Sequence, residues 1–574
     1  MTYTETQMLQ TCGLDAVAFL RMVRMLVYIF CGATLLGVAL AIVYGVYNLK
    51  HVQSNNRQDQ LSAITIENVT DAWAWPAVAV NYLLTFLVIF FVWHNWKVMD
   101  KLRYNWFRSK SYQHKLSSRT IMLTRVPREY RSDGGLVDLM SRLKVDGIKI
   151  TNEIECTTIG RRLGDFPQLV EDHNKAVKDL EKTLVKYLKH GKMASQRPLL
   201  RKGGWACFGG EKVDKIDYLA NEIKFLRDKV DAKRQYIDSL LRRERKARKM
   251  PFKSSNQIEE RIEGETYGFV TFKTVAEAHR IARIYAGKRK DMGGAHLQLA
   301  PEPRDVIWKN LTKDGPELVT ARNLGWVFIG LICLANTIPV LLITVLGNLS
   351  LWAEWVGFLR SWREHSSWTF STISGLLAPS ILAILAFILP YILRRVCKYQ
   401  GAQTRSRLDR ATFARYYFFM VMWYLILFTV LGVIVNLVGN IVKDIGRGKS
   451  AKDIFGMFKD LPKDVQGTYV QQSTYWLTWL PLRGFLVFFE IIQLLRLALV
   501  SFRRIMFSYT PRDIRDLTRP PAFEYYIVGV NLLFLATVGL VYAPLAPLVA
   551  IGCLFVLLFS LLIVSIADQR DDFS

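Results

Sequence analysis

One basic insert, residues 97–322, separates two groups of long apolar stretches in this chain. Two stretches precede it, Met25–Tyr47 and Trp73–Trp96, and six follow from Asn323 onward. Each comes close to the ~20 residues that a helix needs to cross a ~30 Å hydrocarbon layer. The pattern excludes a soluble enzyme, a secreted protein and a receptor with one span. What remains is a multi-pass protein whose membrane part transports, conducts or moves lipid, with a soluble module attached.

Charge sharpens this division. The net charge is +27, and residues 97–322 hold 49 Lys and Arg against 30 Asp and Glu, so 19 of the 27 lie in the insert. Loops on the cytosolic side attract Lys and Arg, so the excess reads as orientation and contact with anionic lipid. Nucleic acid is not an expected partner, because charge alone does not make such a site. The seven cysteines form no CxxC and no Cys/His ligand spacing, so neither a zinc site nor a disulfide framework is expected. Nothing resembles an ATP-binding loop, a catalytic triad or a metal-hydrolase cluster. No enzyme activity, catalytic residue, metal or cofactor is therefore predicted. Arg21 and Arg24 precede a first apolar run too long for a cleavable signal, so that run is expected to stay as an anchor.

Topology follows from the flanking charges. Arg21 and Arg24 place the N-terminus inside, and Lys97, Lys101, Arg103, Arg108 and Lys110 place the insert inside. The loop 48–72 is then outside and carries the glycosylation sequon at Asn68; a second, at Asn348, follows segment three (323–347). Segment four (373–393) returns to a basic cluster at Arg394–Arg410, segment five (411–442) leaves, and segment six (473–500) returns to Arg503–Arg519. Segments seven (523–542) and eight (543–566) end the chain inside. Residues 443–472 carry six basic residues yet are outside by parity, the neighbouring clusters being stronger. The sequon at Asn310 falls on the cytosolic side and is expected to stay unmodified. Three parts result: 1–96 with two spans, the cytosolic domain 97–322, and 323–574 with six.

The insert has internal order. Arg119–Val126 alternates like a strand, Gly135–Leu143 reads as a helix and Lys149–Ile159 as a second strand. Two charged helices, 166–190 and 213–249, form a hairpin insertion at about 160–260. A strand at Thr266–Phe272, a helix at Val275–Tyr285 and a strand at His296–Ala300 complete a ferredoxin-like α+β order. Tyr267–Phe272 resembles half of the RNA-recognition signature, but Glu265-Thr266 replaces its basic-Gly pair and Met122 stands where a stacking aromatic is wanted. The sheet is read as an RNA-recognition-like structural or regulatory platform. Arg242, Arg243, Arg245 and Lys246 crowd one helix end. They read either as a solvated terminus complementing the helix dipole or as a contact with an anionic leaflet.

Polar side chains inside spans are costly and face a bundle interior or a wet path. Asn336 in segment three, Asn436 and Asn440 on one face of segment five, and Glu490 with Gln493 in segment six are the candidates for an ion pathway. Inter-helix hydrogen bonding is the alternative for the amides, Asn531 in segment seven included. For Glu490 the alternative is a bridge to Arg483.

Laid out this way, the chain resembles the OSCA/transmembrane-63 family of osmosensitive, stress-gated, calcium-permeable cation channels, relatives of the anoctamins. The resemblance rests on Gly13-Leu14-Asp15-Ala16 with Phe19-Leu20-Arg21, on Arg119–Pro127, on Ala300–Leu311, on Gly375–Pro379 with Leu389-Pro390, and on Thr510-Pro511-Arg512-Asp513. Ala300–Leu311 is the most specific of these. The resemblance implies an anoctamin-like bundle, here of eight α-helices where the family has eleven, with the pore lined by segments three to seven. It also implies monovalent cations and calcium as permeant ions, membrane lipids as partners and a homodimer. A lipid scramblase and a non-conducting scaffold are the alternative functions. The membrane is the plasma membrane or an endomembrane, with both termini cytosolic.

Overall fold

The computed structural model describes residues 13–51, 71–145, 148–149, 153–188, 196–202, 211–249, 262–285, 292–347, 387–427, 510–518 and 523–570, with isolated positions elsewhere. Two compact units divide the chain. One comprises Met1–Lys115, Pro301–Gln493 and Glu524–Ser574, and the other Leu116–Ala300 with Leu494–Phe523.

The first unit opens with α1 (Leu14–His51) and α2 (Trp75–Arg108). The second runs β1 (Thr120–Thr124), α3 (Asp133–Ser141), β2 (Lys144–Val145), β3 (Ile148–Lys149), β4 (Ile154–Arg161), α4 (Phe166–Tyr187), β5 (Leu199–Lys202), β6 (Glu211–Asp214), α5 (Lys215–Lys249), β7 (Gly264–Phe272), α6 (Val275–Tyr285) and β8 (His296–Leu299). The chain then re-enters the first unit with α7 (Gly315–Gly347), α8 (387–399) and α9 (Arg405–Met420). After α10 (Pro511–Thr518), in the second unit, α11 (Tyr525–Tyr542) and α12 (Leu548–Arg570) follow.

Four helices among the described residues are long and apolar enough to cross a membrane: Leu14–Lys50, Ala72–Arg108, Gly315–Ile338 and Tyr525–Tyr542. Leu548–Leu562 is a shorter apolar helix. Of the expected spans, the fourth, fifth and sixth lie partly or largely outside the described residues. The helices sort by burial. Most of α11 is buried, whereas α2 presents a largely exposed apolar surface, as a lipid-facing helix must. Without a hydrophobic force between helices in lipid, close approach depends on small residues. A Cβ at Gly539 would lie 2.6 Å from both Phe30 Cε1 and Cys553 Sγ, so α1, α11 and α12 meet where only glycine fits. The Tyr44 hydroxyl, buried in the same seam, donates to the Pro544 carbonyl at 2.7 Å.

Two tryptophans frame the membrane path of α2. Trp75 and Trp96 are 71% and 67% exposed, and at 1.5 Å per residue they stand about 31 Å apart, close to the hydrocarbon thickness. Such aromatic belts mark membrane–water interfaces. The helix does not stop at the second belt but continues to Arg108.

The second unit is built on a four-stranded sheet in the order β4-β7-β1-β8, antiparallel throughout. Ile121, Leu123, Val270, Phe272 and Leu297 point to one face, where they form a buried core with Leu136 and Leu139 of α3 and Ile281 of α6. On the other face β1 is also covered: Thr120, Met122 and Thr124 are buried, Met122 completely. Two short ribbons were not foreseen, β2–β3 and β5–β6. The first brackets the Asp-Gly pair at 146–147, a strong hairpin signal. The second joins the two long helices. Lys233, well along α5, pairs with Asp165 at the start of α4, and Arg197, after the end of α4, pairs with Asp214 and Asp217 at the start of α5, so α4 and α5 are antiparallel.

The Thr-Pro-Arg-Asp block has a local explanation. The Thr510 hydroxyl accepts from Asp513 N at 3.0 Å and the Asp513 carboxylate accepts from Thr510 N at 3.3 Å, a reciprocal capping box that starts α10. Pro511, at the first helical position, lacks an amide that would be unpaired there anyway. Arg512 then pairs with Glu181 of α4 at 2.8 Å.

Candidate functional site

Polar side chains cross the interior of the first unit between α7, α9 and α11. Trp423 Nε1 donates to Thr337 Oγ1 at 3.1 Å, the Tyr416 hydroxyl donates to Asn531 Oδ1 at 3.3 Å, and the Tyr417 and Thr537 hydroxyls lie 2.8 Å apart. Each pair satisfies a group that lipid would leave unpaired. Asn531 thus makes an inter-helix hydrogen bond.

Asn336 differs. It is 8% exposed, and its Nδ2 has no hydrogen-bond partner among the described residues. A buried donor left unmade costs about 1–3 kcal/mol, so it marks a place where a water molecule or another acceptor would be accommodated. Opposite the neighbouring Thr337, the end of α9 changes character. Val421–Leu427 is a π-helix containing Trp423, whose ring stacks on Phe419 at 5.1 Å. A π-helical stretch has one wider turn and recurs at functional sites. Neither the π-turn nor Trp423 was evident beforehand, because hydropathy carries no signal for helix width.

Asn436, Asn440, Glu490 and Gln493 lie outside the described residues, as do the sequon asparagines Asn68 and Asn348. Arg242 and Arg243 are exposed on α5, and Arg245 and Lys246 follow on the same helix.

The segment that leaves the sheet, Pro301–Lys313, is fastened to the turn between α8 and α9. Val306 bridges Thr404, and Ile307 N donates to Gln403 O at 2.9 Å. Asp305 receives the first two amides of α9: Arg405 N reaches its carbonyl at 2.7 Å and Ser406 N its carboxylate at 2.9 Å. Thr404, the N-cap, takes the third, from Arg407 N at 3.1 Å. Three of the unpaired amides of a helix start are therefore met, and the Asp305 charge suits the positive end of the dipole. Asn310 Nδ2 donates twice, to Lys398 O at 2.9 Å and Ala402 O at 2.8 Å. Lys313 Nζ reaches Tyr399 O at 3.1 Å. Gly401 turns the chain at φ +89°, a conformation suited to glycine, with Leu318 of α7 against it.

Arg394 of α8 gathers the same end of the bundle. Its guanidinium pairs with Asp409 at 2.8 Å and lies 4.8 Å from the Tyr526 ring centroid. Burial raises the Asp409 carboxyl above its ordinary pKa, against the lowering effect of Arg394.

Three family models match successive parts of the chain. Residues 1–95 match "Late exocytosis, associated with Golgi transport". Residues 118–310 match the cytosolic domain of ten-span proteins carried under a phosphate-transporter label, and residues 321–565 match "Calcium-dependent channel, 7TM region", whose description carries a phosphate label as well. The chain belongs to the OSCA/transmembrane-63 family.

Among the relatives of this OSCA/transmembrane-63 chain, the hyperosmolality-gated Ca2+ permeable channel 1.4 of Arabidopsis thaliana is 23% identical over 97% of this chain and 67% of its own. The vacuolar transmembrane transporter penV of Penicillium rubens is 22% identical over 97% and 67%. The RSN1 protein of Saccharomyces cerevisiae is 22% identical over 76% and 44%. The chain spans about two thirds of the length of the first two relatives. It is a helical, multi-pass membrane protein with a cytosolic domain and a seven-span region. The fastened segment straddles the boundary between the two larger matches, which gives the specificity of Ala300–Leu311 a physical reason.

Proposed function

We propose that this protein is a mechanically or osmotically gated, calcium-permeable cation channel, organised as residues 1–96, a cytosolic domain 97–322 and a pore region 323–574. The observation that carries the reading is Asn336: a buried amide whose unmet donor calls for water inside a span, beside a π-turn, within the region that matches a calcium-dependent channel. Asn336, Asn436, Asn440, Glu490 and Gln493 line the path and supply oxygens that partly replace ion hydration. Tension favours a state of larger area or thinner surrounding bilayer, and mismatch costs of fractions of a kcal/mol per Å bias that equilibrium. The π-turn is the element that shifts, because returning one wide turn to α geometry rotates everything beyond it by about 100°.

The cytosolic domain is a ferredoxin-like platform, a reading supported by the strand order β4-β7-β1-β8 with two helices on one face. Complete burial of Met122, opposite Phe269 in the strand register, argues against base stacking on that face. Arg242, Arg243, Arg245 and Lys246 contact the anionic leaflet, and Asn68 and Asn348 are glycan acceptors.

Patch recording from proteoliposomes under suction tests the channel. Asn336→Leu removes the unmet donor at similar volume, so thermal stability holds or rises while conductance or opening tension changes. Unchanged current in that variant takes Asn336 out of the path. Wild-type liposomes that scramble lipid but pass no current at any tension refute the channel.

A further inference from the structure

Beyond its second tryptophan belt, α2 carries a set of basic residues that make no ion pair among the described residues. Lys97, Lys101, Arg103 and Arg108 are exposed on the twelve residues from Lys97 to the helix end, and Lys110 follows on the next turn. At 1.5 Å per residue this overhang reaches about 18 Å past the hydrocarbon edge. It leads into the cytosolic domain, so it leaves the membrane at the inner leaflet.

The neighbouring cations are treated differently. Arg21 and Arg24 share Glu5, at 2.8 and 3.3 Å, and Lys115 pairs with Glu302. Among the described residues none of the five overhang cations has a carboxylate within 4.0 Å, although Asp100 is exposed among them. Aromatic rings accompany three of them. Lys97 Nζ lies 3.7 Å from the Trp93 ring centroid, Arg108 lies 4.2 Å from that of Tyr104, and Arg103 lies 5.6 Å from that of Phe107. A ring face holds a cation in place without neutralising it. Positions 97, 101, 104 and 108, three or four apart, share one side of the helix.

Orientation by the positive-inside rule accounts for basic residues here, but not for rings set beneath them or for the lack of carboxylate partners among the described residues. Both follow if the cations meet an anion from outside the chain. We propose that the overhang of α2 is a binding site for anionic phospholipid headgroups of the inner leaflet, with Trp93, Tyr104 and Phe107 positioning the cations. Four to eight basic residues just cytosolic of a span suffice for such recognition. The site is on a different helix from the basic end of α5 and does not depend on ion conduction.

The test uses the full chain in nanodiscs, with a photoactivatable phosphatidylserine and its phosphatidylcholine counterpart, and peptide mapping of the labelled residues. Each engaged cation contributes roughly a fivefold preference for the anionic probe, so labelling within 97–110 should favour phosphatidylserine by about 25-fold or more and fall at high salt. Replacing Lys97, Lys101, Arg103, Arg108 and Lys110 by Gln should abolish that preference, and Lys97→Gln with Lys101→Gln, a milder variant, should reduce it severalfold. The same replacements at Arg242, Arg243, Arg245 and Lys246 should leave it unchanged. Equal labelling by the two probes overturns the proposal, and so does a preference that survives in a five-site variant of native melting temperature. If the five-site variant does not fold, an undiminished preference in the two-site variant overturns it equally.

Discussion

Replacing Asn310 by alanine removes two hydrogen bonds from one buried turn. The side chain is 7% exposed, and its amide donates to Lys398 O at 2.9 Å and Ala402 O at 2.8 Å. Lys398 O keeps a second donor, Gly401 N at 3.2 Å, so most of the loss falls on Ala402 O. One acceptor stranded and one half-served cost about 2–3 kcal/mol in all. Asn310→Asp is worse, since a carboxylate would confront two carbonyl oxygens with no proton to donate. Cys397, buried beside Lys398, supplies a local probe. Maleimide labelling of that cysteine, read by peptide mass because Cys31 and Cys156 are exposed, reports opening of the turn. With tenfold per 1.4 kcal/mol, Asn310→Ala should speed labelling by about 30- to 150-fold and Asn310→Asp by more. A change under threefold in the alanine variant, or an aspartate variant no faster than alanine, would refute the reasoning.

Gly401→Ala should lower the melting temperature sharply. The residue sits at φ +89° and a Cβ would lie 2.1 Å from Leu318 Cδ1, so adding Leu318→Ala should recover only the steric part. Thr510→Ala removes half of the capping box and should cost about 1 kcal/mol, visible as roughly fivefold faster hydrogen exchange at the first amides of α10. His279 has a pKa lowered by burial. The unfolded chain therefore binds the proton more readily, and stability is complete above the unfolded value near 6.5 and falls as pH drops from there toward the lower folded value. Unfolding followed from pH 7.5 to 5.5 should show this slope, and His279→Gln should flatten it.

What the sequence disclosed is what is local. The alternation in Thr266–Phe272 gave β7 because period two is written into adjacent residues, and Val270 and Phe272 do face the core. The Thr-Pro-Arg-Asp block spells its own cap. Hydropathy ended the second span at Trp96, but α2 continues to Arg108 because Lys97–Arg108 contains good helix formers and no breaker. Non-local pairing was not legible. Tyr416 and Asn531 are 115 residues apart, and Asn310 and Lys398 88. Nothing in either neighbourhood names its partner. Asn336 was visible as a polar residue in a span, but its unmet donor is a property of the packed bundle.

The attachment of Pro301–Lys313 also decides what the start of α9 depends on. Asp305, the sixth residue after β8 ends at Leu299, already holds Arg405 and Ser406. Moving this segment away would therefore leave the first two amides of α9, the helix that carries the π-turn, without these acceptors. The first turn of α9 is thus finished by a residue about a hundred positions upstream in the chain.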